Sequence, residues 1–111
     1  MLVTKKDQVT ILEIEFTMLT ATNAKEFKAK LEKAIEHEKY ILLDLNRVTF
    51  IDSSGLGVFL FCLKSLNQKG GDLKICNITK PVRVLFELVR LHQVIEVFNS
   101  QQEALQAFDQ E

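Results

Sequence analysis

LLDLNRVTFIDSSGLGVFL, residues 42–60, decides the fold. Its first part continues a nearly unbroken apolar run, YILLDL, as expected of a strand covered on both faces. Asn46-Arg47 reads as a turn, and VTFI (residues 48–51) is a short extended approach. Then come an acid, two hydroxyls and two glycines. From about Ser53 the apolar spacing is helical and runs to Lys69, where Gly70-Gly71 stops it. Asp52, Ser53 and Ser54 are good capping residues, and Gly55 and Gly57 permit a tight entry. Two roles for Ser53 follow from the same physics. It starts a helix and nothing more, or it carries a phosphate that the N–H groups of a helix start tolerate. A phosphate there would face Asp52, so it would change the local field sharply.

Outward from this stretch, strands and helices alternate. VTILEIEF (residues 9–16) alternates apolar and acidic residues, which predicts a strand with one wet face. Residues 20–39 switch to helical spacing, with Phe27, Leu31, Ala34 and Ile35 on one face and Thr22 or Asn23 as N-cap. DLKICN reads as a second buried strand. Thr79-Lys80-Pro81 starts a third helix with an apolar stripe of Val82, Leu85, Phe86 and Val89. VIEVF (residues 94–98) is a short last strand, and Ser100 caps a final helix that buries Ala104, Leu105 and Phe108. The alternation predicts an α/β fold, with about four helices against a mixed, mostly parallel sheet whose first pair can be antiparallel. One domain spans residues 1–111. The working surface is expected at the carboxyl ends of the strands, where residues 17–23, 46–54 and 77–80 fall.

Composition narrows the function. With 14 basic and 15 acidic residues in 111, neither nucleic acid nor a membrane surface is indicated as partner. No run approaches the ~20 apolar residues of a membrane span, and residues 1–6 lack the apolar core of a signal peptide. Cys62 and Cys76 lie in apolar runs as small buried hydrophobes, neither a disulfide nor a metal pair. A reduced, cytoplasmic protein is expected, with no cofactor and no metal.

Familiar catalytic motifs fail on their spacing. A dinucleotide fingerprint needs a third glycine where Leu60 stands, a Walker loop needs Gly-Lys-Ser/Thr, and a hydrolase elbow needs a glycine where Ile51 stands. His37 and His92 read as surface residues, so no enzyme is indicated. The helix after the motif is assigned Leu56, Phe59, Leu60, Leu63 and Leu66 as core. Gly57, Phe61, Lys64 and Gln68 form the opposite stripe. Phe61 then either lies under the Lys64 stem or belongs to a protein-binding surface beside Ser53.

The order of elements and the Asp-Ser-Ser-Gly-Leu-Gly loop resemble the STAS domain of bacterial anti-sigma factor antagonists. LLDLNRVTFIDSSGLGVFL and NQKGGDLKICNITKPVRVLFELVRLHQVIEVFNSQQEAL carry the resemblance, which covers nearly the whole chain. It implies an adaptor that, unphosphorylated, binds an anti-sigma factor that is also a serine kinase, and so frees a sigma factor. It implies phosphorylation at Ser53 and restoration by a metal-dependent serine phosphatase. Partner contacts are expected around Asp52, Ser54, Gly55, Gly57, Phe61, Lys64, Thr20 and Asn77. One departure stands out. Where such domains carry a Gly-x-Leu-Asp type segment, this chain has TMLTATNA, with Thr17 for the glycine and Thr20 for the aspartate. Contacts at that edge are therefore expected to differ. The domain type also recurs in transporter, lipid-trafficking and stress-signalling assemblies. The alternative is a constitutively binding subunit with Ser53 only as a cap.

Overall fold

A computed structural model of the chain describes residues 1–110. Its main sheet contains β1 (Leu2–Lys6), β2 (Val9–Glu13), β4 (Tyr40–Asp44), β6 (Asp72–Cys76) and β7 (Glu96–Phe98), in the order β1-β2-β4-β6-β7. A two-stranded sheet pairs β3 (Met18–Leu19) with β5 (Phe50–Ile51). The helices are α1 (Ala24–Ile35), α2 (Ser53–Gln68), α3 (Lys80–Val89) and α4 (Gln101–Phe108). β1 and β2 are antiparallel and every other pair is parallel. The mixed, mostly parallel sheet expected from the alternation is therefore present.

Burial explains why the central strands read as continuous apolar runs. In β4, Ile41 and Leu43 join the core under α1, α2 and α3, while Leu42 joins a second core under α4. Period-two alternation vanishes because both faces are covered. The larger core holds an edge-to-face aromatic ladder. Phe16 meets Phe27 at 6.1 Å, Phe27 meets Phe59 at 5.9 Å and Phe59 meets Phe86 at 6.3 Å. It links the β2–β3 loop to α1, α2 and α3.

Several sequence expectations need correction. β1 is a strand that no pattern announced, because all five of its residues are exposed on the sheet edge. β2 ends at Glu13 rather than Phe16. The last strand begins at Glu96, since Ile95 is buried but Val94 lies exposed in the preceding turn. Asn23 occupies the α1 N-cap position but makes no side-chain cap. Its carboxamide instead accepts from the Thr20 N–H at 3.0 Å and donates to the Met18 carbonyl at 2.7 Å. Cys62 and Cys76 are free and fully buried. Burial pushes both thiols up to about 12, so they stay protonated and inert at neutral pH.

Lys74 has an arrangement that composition could not foretell. It is buried in the centre of the sheet, paired with Asp72 at 3.0 Å and Glu96 at 2.6 Å, and its ammonium lies 4.8 Å from the Phe108 ring centroid. A buried cation is tolerated when partners of this kind surround it.

Candidate functional site

The β3–β5 pair joins two loops at the carboxyl end of the sheet. Thr49 N–H donates to the Thr17 carbonyl at 2.8 Å, and Asp52 N–H donates to the Leu19 carbonyl at 3.0 Å. The loop after β6 is tied in by Thr79, whose hydroxyl donates to the Val48 carbonyl at 2.7 Å. The three segments expected at this end are thus connected through named bonds.

Asp52 organises the junction. Its backbone is extended, and one carboxylate oxygen accepts from the N–H groups of Ser54 at 2.8 Å and Gly55 at 3.2 Å. The other accepts from Ala21 N–H at 3.0 Å, which pins the start of α1 to the start of α2. Desolvation alone would raise this carboxyl. The bonds from Ala21, Gly55 and Ser54 outweigh it and hold the carboxyl below its ordinary value of 3.8. The consequence for stability has a definite sign. The folded chain binds this proton more weakly than the unfolded chain, so the ionised cap stabilises above that ordinary value and is lost as pH falls below it. Thermal melting between about pH 5 and 2 should therefore fall less steeply for Asp52→Asn than for the wild type. Parallel acid limbs would contradict this role.

Ser53 is exposed as the first residue of α2. The Ser54 and Gly55 N–H groups beside it are already taken up by the Asp52 carboxylate. Ser54 is half-buried beside it.

The two glycines differ. A Cβ on Gly55 would stand 2.7 Å from the Leu19 carbonyl oxygen and 2.9 Å from Ile51 Cγ2, whereas one on Gly57 would meet nothing within 4 Å. Gly55→Ala is expected to cost about 1–3 kcal/mol through this overpacking. Gly57→Ala should be neutral or stabilise by up to about 1 kcal/mol, since alanine is the better helix former. Urea denaturation of both variants checks the contrast, and equal midpoints would contradict it.

The α2 stripes are corrected. Val58, Phe59, Cys62 and Leu66 are the buried positions, with Gly55 at the start. Leu56 and Leu63 are partly buried flanks packed on the core. Leu60, assigned to the core, is 45% exposed. It shares the outer face with Ser53, Gly57 and Lys64, a spacing of four, three and four that was visible in the sequence. Phe61 is half-buried and turned toward α1, where Lys28 rather than Lys64 covers it, with Nζ 4.2 Å from the ring centroid. Other apolar side chains exposed around this end are Met18 and Phe50, directly paired across β3 and β5.

Thr20 and Asn77 sit at the same end with different tasks. Thr20 belongs to the turn before α1, where its hydroxyl accepts from Thr22 N–H at 3.3 Å. Asn77 has left-handed backbone, φ 57°, and its carboxamide donates to the buried Asp44 carboxylate at 3.0 Å. Gln101 of α4 donates to the same oxygen at 2.8 Å. The Asn77 side chain is thus part of the seam that seats α4.

Among the described residues no group of three or more His, Cys, Asp or Glu is arranged to hold a metal, and no helix is long and apolar enough to cross a membrane.

An α/β domain whose prominent feature is a capped, exposed serine between two stitched loops is what this geometry defines. Residues 1–104 match the STAS domain family, and the chain belongs to that family. It is 34% identical over 80 residues to an anti-sigma F factor antagonist of Paenibacillus polymyxa, covering 70% of this chain and 68% of that protein. It is 34% identical over 92 residues to a putative anti-sigma factor antagonist, BtrV, of Bordetella bronchiseptica, covering 82% and 79%. Among solved structures, a putative anti-sigma factor antagonist from Thermotoga maritima superposes with a TM-score of 0.84 at 27% identity, covering 95% of this chain and 91% of that one.

Proposed function

We propose that the chain is a phosphorylation-switched anti-sigma factor antagonist. Unphosphorylated, it binds an anti-sigma factor that is also a serine kinase, frees a sigma factor and so alters transcription. The kinase places a phosphate on Ser53, and a metal-dependent serine phosphatase removes it. Asp52, Ser54, Gly57, Phe61, Lys64 and Thr20 surround the contact, whereas Gly55, also expected there, is buried against Leu19 and Ile51 and only shapes the helix start.

The observation that carries this reading is the exposure of Ser53 at the α2 start, beside an Asp52 carboxylate that already fills the helix cap. The hydroxyl is accessible, and Gly57 presents no side chain next to it. Capping does not require Ser53, because Asp52 performs it. The names of the relatives supply the partner class.

The test is incubation of the purified chain with its anti-sigma factor and ATP, followed by peptide mass spectrometry. One phosphate on Ser53, absent from Ser53→Ala, is expected. Phosphate on Ser54 instead would keep a switch but refute the site. No phosphate on either serine would leave Ser53 as the first residue of a helix.

A further inference from the structure

Between α1 and α2 runs a shallow groove beside the exposed serine. Its near end is lined by Ala24, Lys25 and Lys28 from α1 and by Ser54, Gly57 and Phe61 from α2. Its far end, past Phe61, is lined by Glu32 and Glu36 of α1 and by Ser65, Gln68 and Lys69 on the α2 side. Both ends are fixed. The Asp52–Ala21 bond ties the two helix starts together. At the other end Lys69 of the α2 terminus donates to the carbonyls of Ile35, Glu36 and Glu38, closing the last turn of α1. The groove is therefore a preformed surface.

Its charge is uneven. Neither Lys25 nor Lys28 pairs with a carboxylate among the described residues, and the Lys28 ammonium rests over the Phe61 ring. The nearby Asp52 carboxylate accepts from three backbone N–H groups and forms no ion pair with either lysine. Lys64 adds a further cation on the face that carries Ser53. On the opposite flank of α1, Lys30 is paired with Glu26 at 3.4 Å. A chain of net charge −1 thus concentrates free positive charge at the Ser53 end of one groove.

We propose that Lys25 and Lys28 form the docking site for an acidic segment of the anti-sigma factor, with its carboxylates on the lysines and its apolar part against Phe61. This rests on the antagonist reading and adds the chemistry of the partner to it. It also gives the switch a second lever. A phosphate of about −1.5 to −2 charges on Ser53 nearly cancels two lysines. The attraction that steers the acidic segment into the groove is then lost, and like charges meet at its end.

The experiment compares two double variants with the same change in net charge. K25E/K28E reverses the groove, and K30E/K33E reverses the far flank of α1. Each is titrated against the anti-sigma factor at low and high salt, with circular dichroism to establish folding. K25E/K28E should weaken binding roughly tenfold or more at low salt and flatten its salt dependence, as charge complementarity at an interface requires. K25Q/K28Q should fall between it and the wild type, and K30E/K33E should stay within about twofold of the wild type. Equal affinities for the two double variants would overturn the proposal. Ser53→Asp, run alongside, separates the two levels. If it weakens binding while K25E/K28E does not, the switch stands and the groove is not its docking site. A wild-type chain that binds no anti-sigma factor overturns both.

Discussion

Phe59→Ala is expected to lower the stability of the domain by about 3–5 kcal/mol, while Leu60→Ala, one residue on, should cost about 1 kcal/mol or less. Phe59 is fully buried and stands between Phe27 of α1 and Phe86 of α3, in edge-to-face contact with both. Removing its ring leaves a cavity where three helices meet and deletes both aromatic contacts. Leu60 is 45% exposed, so its truncation returns little apolar surface to water. Urea denaturation with a common slope measures both. Equal losses would mean that the two faces of α2 have been assigned wrongly. A weaker partner complex for Leu60→Ala with an intact fold is the complementary result, because Leu60 lies on the face of Ser53.

This pair also shows where the sequence was legible. The strand-to-helix transition at Asp52 was readable from local chemistry, since capping residues, glycines and a change of period all coincide there. The alternation of elements and the apolar runs of β4 and β6 likewise disclosed an α/β layer fold. The α2 stripe was not read correctly, because this helix is apolar nearly all round. Four leucines, two phenylalanines and a valine leave no clean polar face, and leucine was favoured over Val58 and Cys62. The polar positions Ser53, Gly57 and Lys64 held the better signal. β1 was missed because an exposed edge strand buries nothing and leaves no alternation. The Asp52–Ala21 bond and the Lys28–Phe61 stacking join residues 31 and 33 apart in sequence, and no local pattern encodes such contacts. Asn77 was placed at the right end, but its commitment to Asp44 depends on a buried carboxylate that looked like one more strand residue.

The second large effect is on binding. Phosphorylated Ser53 should weaken the complex with the anti-sigma factor roughly 5- to 150-fold, the range of ordinary coupling energies. The fold itself should tolerate the group. Asp52 already satisfies the Ser54 and Gly55 N–H groups, so a phosphate has no reason to enter the helix cap and projects into water. In the complex that hydration is lost, and the phosphate meets whatever packs over Gly57, Leu60 and Lys64. Burying a charge without a partner is far more costly than leaving it hydrated. Ser53→Asp carries less charge and should reproduce part of the loss, and Ser53→Ala should bind without being switched.

The direct measurement is titration calorimetry of the unmodified, Ser53-phosphorylated and Ser53→Asp chains against the anti-sigma factor, with circular dichroism of each form. The switch predicts unchanged dichroism, tight binding of the unmodified chain, intermediate binding of Ser53→Asp and the weakest binding of the phosphorylated form. Equal affinity of all three forms would contradict it.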